Sequence, residues 1–173
     1  MKLAFKKIDV TKIADIGIFL KNIIKSVLRF DYRGLSFIHI ELLFPEEFNN
    51  VSFSSDPKDG VRFKDIKYSH PERWVFVDWD YNHFIFGKKY INEQAIYNAC
   101  RKMVGRGYDW KGIAGQAIGI EELENRELYY CSEIIAHIQG LVPNQLDPQE
   151  LYKVNVNINK QIARRDKYVA KIR

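Results

Sequence analysis

Cysteine is scarce in this chain: Cys100 and Cys131 are the only two among 173 residues. So few exclude a disulfide scaffold, nothing in their placement pairs them, and a reduced interior is expected. Neither has ligand spacing to a histidine, so no metal and no cofactor is expected. Long apolar runs are missing as well, none reaching the roughly 18 residues that span a bilayer. Lys2, Lys6, Lys7 and Lys12 lead toward an apolar stretch, but Asp9, Asp15, Lys21 and Lys25 interrupt it and no small-residue cleavage site follows. A secretory signal is therefore not expected, and the expected location is cytoplasmic, with delivery elsewhere left to lysis or a partner. Internal repeats, low-complexity blocks and flexible linkers are also lacking. One domain over 1–173 is the simplest organisation.

What is present suits a packed core. Apolar residues make up 46% of the chain and aromatics 14%, which argues against disorder. The net charge of +5 is mild, and much of it lies in a C-terminal segment, 160–173, with Lys160, Arg164, Arg165, Lys167, Lys171 and Arg173. Such a tail either touches an anionic surface or is a solvated helical end. No motif specific to nucleic acid accompanies it, and the oligomeric state is not legible.

The pattern along the chain reads as α+β, a central antiparallel sheet packed against helices. In the first 33 residues a strand precedes an amphipathic helix at Thr11–Arg29, where Ile13, Ile16, Leu20, Ile23 and Val27 recur at helical spacing. Leu35–Phe44 is a β-type run closed by Pro45-Glu46-Glu47, and Val51–Ser55 is its expected hairpin partner. After the turn Asp56-Pro57-Lys58-Asp59-Gly60 come two more strand candidates, Val61–Ile66 and Trp74–Trp79. Asn92–Val104 turns helical, with Asn92 as N-cap and Gly105 as stop. A second helix is expected to open at Cys131 and to end before Gly140.

That second helix carries the chemistry. In Tyr129-Tyr130-Cys131-Ser132-Glu133 the thiol falls in a first turn, where unpaired N–H groups and the dipole favour a thiolate. A nucleophilic cysteine needs a base, and there are four histidines. His137, six residues on, faces away from Cys131 along the helix; His70 stands before Pro71 in a polar loop; His83 is ambiguous. His39 lies within a strand, a rigid mount for a base, and alternation sets Phe37, His39, Glu41 and Leu43 on one face. An imidazole in that role must be oriented by a further polar group. Glu41 is the favoured orienter. If the hairpin turns at Glu46-Glu47, His39 lies roughly opposite Ser54, which makes Ser52, Ser54 or Ser55 the alternatives.

The strand Ser36-x-x-His39-x-Glu41-Leu42, the loop Gly105-x-x-Tyr108-Asp109-x-x-Gly112-Ile113 and the late Tyr130-Cys131-Ser132-Glu133 resemble the circularly permuted branch of the NlpC-type, papain-like cysteine amidases. As in that branch, the histidine strand precedes the cysteine helix. The resemblance spans roughly Leu35 to Pro148. It implies a permuted papain-like fold with Cys131 as nucleophile and His39 as general base. It also implies that Tyr108-Asp109 shape the cleft and dock the chain ahead of the cysteine helix, with Tyr130 lining the site. Asp109 as a plain turn residue and Trp110 as plain core are the bland alternatives. Ser54 and Arg62 complete the expected substrate contacts, Arg62 by meeting a substrate carboxylate unless it is simply solvated.

The function this implies is a cysteine hydrolase that cleaves an amide bond, in a cell-wall-type peptide or similar, through an acyl-enzyme. A thiol acyltransferase or lipid-directed hydrolase of the same fold, and a non-catalytic binding module, stand as alternatives. The partner in each catalytic case is a peptide or acyl substrate.

Overall fold

A computed structural model describes residues 1–9, 37–81, 92–111, 128–142 and 146–172. The amphipathic stretch at Thr11–Arg29 and His83 lie outside the described residues, as do Leu35 and Ser36. Five strands, β1 (Lys2–Lys7), β2 (Phe37–Leu43), β3 (Val51–Asp56), β4 (Gly60–Asp65) and β5 (Trp74–Asp78), form one antiparallel sheet ordered β4-β3-β2-β1-β5. Three helices complete the described residues: α1 (Glu93–Arg101), α2 (Cys131–Gln139) and α3 (Pro148–Ile172). The architecture is α+β, as the pattern of short β-branched and aromatic runs followed by helical spacing implies.

One face of the sheet and the helices enclose the core. Leu3 and Phe5 of β1, Ile40 and Leu42 of β2 and Phe53 of β3 are fully buried, together with Ile134 and Ile135 of α2 and Leu151 of α3. Each such side chain contributes about 1.5–3 kcal/mol relative to exposure. The strand expected at Leu35–Phe44 departs from simple alternation. Lys6 pairs with His39 but Lys7 pairs with Phe37, so Ile38 is a bulge residue. The extra residue turns Phe37 to the core, where its ring meets Phe5 at 5.5 Å and Tyr152 at 4.7 Å. Phe37 therefore does not share the face of His39 and Glu41 as alternation alone implies.

The hairpin register also differs. A short 3-10 turn at Glu46–Phe48 runs on through Asn49 and Asn50, both at positive φ, which moves the turn later than Glu46-Glu47. The pairing is Leu42 with Phe53 and Leu43 with Ser52, and continuing it sets Asp56, not Ser54, opposite His39.

Most helix ends follow their sequence signals, but α1 stops at Arg101, short of the end at Val104 and the stop at Gly105 expected from the sequence. Asn92 Oδ1 accepts from the Ala95 amide at 2.9 Å at the start of α1. Tyr130 N–H donates to Glu133 Oε2 at 3.3 Å at the start of α2, which stops at Gly140 with φ 72°. Asp147 and Glu150 cap α3 reciprocally, Asp147 N–H to Glu150 at 2.8 Å and Glu150 N–H to Asp147 at 2.9 Å. Among the described residues no helix is long and apolar enough to cross a membrane.

Candidate active site

Three features of the fold bring the start of α2 to the middle of β2. The loop after α1 docks on β4: Val61 N–H donates to the Arg106 carbonyl at 2.8 Å, and Gly105 N–H returns to Val61 O at 2.9 Å. Gly60 permits this contact, because it sits at φ 66° and any Cβ there would collide with the Arg106 carbonyl. Tyr129 N–H then donates to Gly107 O at 3.1 Å, so the segment before the cysteine is held by the glycine loop. Finally, where β2 and β3 part, Ser55 Oγ donates to the Tyr129 carbonyl. Docking of the chain ahead of Cys131 thus runs through Gly107 and Ser55 rather than through Tyr108-Asp109 alone.

Cys131 opens α2 at its first position and is 5% exposed. His39 interacts with it by hydrogen bond and charge, and His39 Nε2 meets Glu41 Oε1 at 3.3 Å. Burial works against a charge on this imidazole, but Cys131 and Glu41 outweigh it and hold the His39 pKa up at about 9. Glu41 responds in the opposite sense. Burial pushes its carboxyl up, and the hydrogen bond and charge of His39, with the hydroxyls of Tyr68 and Ser52, bring it down to about 2. Among the described residues, then, His39 interacts with both a thiol and a carboxylate.

Of the candidate orienters, Glu41 is the one in contact with His39. Ser54 is fully buried and its hydroxyl donates 2.7 Å to the Ile40 carbonyl, bridging the strands where their ladder has ended. That removes Ser54 both as orienter of His39 and as a substrate contact. Ser52 reaches Glu41, not His39. Ser55 is spent on Tyr129.

Tyr108 lies within electrostatic reach of Cys131. Its phenol is pushed upward by burial and then by the charges of Cys131 and Asp56. Tyr130 is buried as the N-cap of α2. Asp109 is fully buried, whereas Trp110 is 61% exposed and packs edge-on against Tyr108 at 5.0 Å, so Trp110 is not a core residue. Arg62 is neither solvated nor a free cation. Its side chain is 13% exposed and is held by Asp56 at 3.2 Å and Asp59 at 3.7 Å. His70 is exposed and pairs with Glu72, and His137 lies against the Tyr129 ring at 5.8 Å.

Two residues of the site had no signal in the sequence. Tyr68 donates 2.9 Å to Glu41 Oε2 and stacks on Trp74, 4.4 Å between centroids. Its 27-residue separation from Glu41 is not a recognisable spacing. Asp56 reads as a turn residue, and the Lys58 amide does bind it at 3.0 Å. Partial burial raises its carboxyl, but that amide, Arg62 and the nearby charge of His39 together keep it below its ordinary value. Among the described residues no group of three or more His, Cys, Asp and Glu side chains is placed to hold a metal ion. Compared with protein-family models, curated proteins and solved structures, the chain gives no match.

Proposed function

We propose that this protein is a cysteine hydrolase, with Cys131 as nucleophile, His39 as general acid–base and Glu41 as the group that orients His39. The observation that carries the reading is that His39 interacts with both Cys131 and Glu41, which together raise its pKa to about 9. An imidazolium beside a cysteine is the setting in which a thiolate persists at neutral pH. The order of strand and helix, and the antiparallel sheet against which α2 packs, fit a permuted NlpC-type, papain-like arrangement.

The chemistry follows from that line. Cys131 Sγ attacks an amide carbonyl, forming an S–C bond and a tetrahedral oxyanion. The N–H groups in the first turn of α2 face the developing charge, each such donor being worth about 3 kcal/mol at the transition state. The C–N bond breaks as His39 gives its proton to the leaving nitrogen. Neutral His39 then takes a proton from water, whose oxygen attacks the thioester, and the acid product leaves with Cys131 restored. Glu41 keeps one imidazole nitrogen fixed through both steps, and Tyr68 fixes Glu41. The substrate class favoured is a peptide-type amide, as in cell-wall peptides.

A second reading, a thiol acyltransferase or lipid-directed hydrolase, draws on α3. Its end from Arg164 to Ala170 is exposed and carries Arg164, Arg165 and Lys167 beside exposed Tyr168 and Val169. Flotation with anionic liposomes separates the two, since a hydrolase of soluble peptides stays in the bottom fraction. The catalytic reading itself is tested by intact-mass detection of an acyl adduct after exposure to an activated ester. The expected adduct maps to Cys131 and is lost in His39→Ala; an adduct that maps elsewhere, or none, overturns the proposal.

A further inference from the structure

The order of the sheet forces one connection across its polar face. β4 and β5 are opposite edges, so the chain between Asp65 and Trp74 must pass over three strands, about 19 Å from edge to edge. It crosses on the face that carries His39 and Glu41, because Tyr68, midway along it, donates to Glu41 and stacks on Trp74. Between this strap and the sheet lies a cavity of about 200 Å³ whose lining is mostly polar. It is separate from the thiol: Glu41 forms part of its wall, while neither His39 nor Cys131 lines it.

The charges around this cavity are unbalanced. Lys6 of β1, Lys64 of β4, and Lys67 and Arg73 of the strap line it, against Glu41 and Asp65. Glu41 is already committed to His39 and Tyr68, and Asp65 pairs with Lys67 at 3.4 Å. Arg73 pairs with Asp9 at 3.3 Å. Lys6 and Lys64 have no acidic partner among the described residues, and they approach the cavity from two different strands. A polar recess of this size whose lining carries this surplus of positive charge suits a small, multiply charged oxyanion.

We propose that the recess beneath the strap binds a phosphate-type oxyanion, with Lys6 and Lys64 as its principal charged contacts. A dianion at neutral pH offsets two of the surplus positive charges, whereas chloride offsets one. The cavity volume admits the free ion or the head of a small phosphate ester. The site does not depend on the chemistry of Cys131.

Isothermal titration of the full chain at pH 7.5, with ionic strength held constant by chloride, tests this. Inorganic phosphate is one titrant and glycerol 3-phosphate the other. Saturable one-to-one binding of either is expected, the tighter of the two naming the free ion or the ester head as the natural form. Combined Lys6→Gln and Lys64→Gln should weaken it at least tenfold, and Cys131→Ser should leave it unchanged. Lys64 is exposed at an edge strand, so Lys64→Gln alone should fold and should weaken binding at least threefold. Heats no larger than a chloride control for both titrants, or affinity indifferent to Lys64→Gln, overturn the proposal.

Discussion

Both cysteines are buried and both belong to the same apolar cluster, yet their electrostatic settings are opposite. Cys100 lies in the last turn of α1 with Ile96 on the same helical face, and burial pushes its thiol far above the ordinary range. Cys131 is 5% exposed but opens α2 and faces an imidazole that is itself backed by a carboxylate. Burial alone suppresses a thiolate, because a lone charge loses its hydration. A cation beside the sulfur works in the opposite direction, and the proposed function requires that it prevail at Cys131. The difference between the two sites is thus one side chain, delivered by a strand far away in the sequence.

Removing that side chain should erase the difference. At pH 6.5, iodoacetamide should label Cys131 at least about 100-fold faster than Cys100, since each unit of thiol pKa changes the thiolate fraction tenfold. His39→Ala should slow Cys131 labelling by about 100-fold or more and leave Cys100 unaltered, read by peptide mass spectrometry. Cys131→Ser should abolish acyl-adduct formation, a loss of about a thousandfold or more. Equal labelling of the two cysteines in the folded wild type would sink the contrast and the catalytic reading together.

Weakening the support behind His39 should have a smaller effect. Glu41→Gln keeps the shape but removes the charge, so the His39 pKa should fall from about 9 and Cys131 labelling below pH 7 should drop about tenfold. Tyr68→Phe removes one hydrogen bond to a charged group, about 1.5–3 kcal/mol where it is fully buried and less here, so a fall of a few-fold is expected. A Tyr68→Phe loss as large as that of His39→Ala would mean that Tyr68 touches the reacting atoms.

The same pair sets a pH dependence of stability. The His39 pKa is raised above its unfolded value of 6.5, so the stability it confers is complete below pH 6.5 and is lost as pH rises through about 9. Glu41 has the opposite sign: its contribution is present above pH 4.5 and disappears as pH falls toward 2. Melting temperature should therefore fall as pH rises through about 9 in the wild type, and the fall should move to lower pH in Cys131→Ser, where one of the groups that raises the His39 pKa is gone. Identical profiles in the two proteins would show that Cys131 and His39 do not interact.

Local signals made most of the frame legible. Cys131 at a helix start, His39 and Glu41 two apart on a strand, Asn92 as cap and Gly140 as stop are all short-range patterns, and the structure has each in place. What escaped depends on longer-range geometry. The bulge at Ile38 is visible only in the pairing of β1 with β2, and it alone decides that Phe37 faces the core. The late hairpin turn depends on two asparagines at positive φ, which shift Ser54 away from His39. Tyr68 reaches Glu41 because β4 and β5 fall on opposite edges, a matter of strand order that no spacing in the chain encodes.

The smallest expected effect comes from the other cysteine. Cys100 is fully buried, and burial outweighs a backbone hydrogen bond in pushing its thiol upward. Replacing it with alanine removes one sulfur from a packed face and leaves a small cavity, which should cost about 1 kcal/mol of stability in chemical denaturation. Adduct formation at Cys131 should remain within twofold of wild type, because the two thiols share a core but no electrostatic contact. A rate change in Cys100→Ala larger than its stability loss can explain would mean that packing at the end of α1 positions the start of α2. The two cysteines would then be mechanically coupled, and the contrast between an inert and a reactive thiol would have to be redrawn as one connected unit.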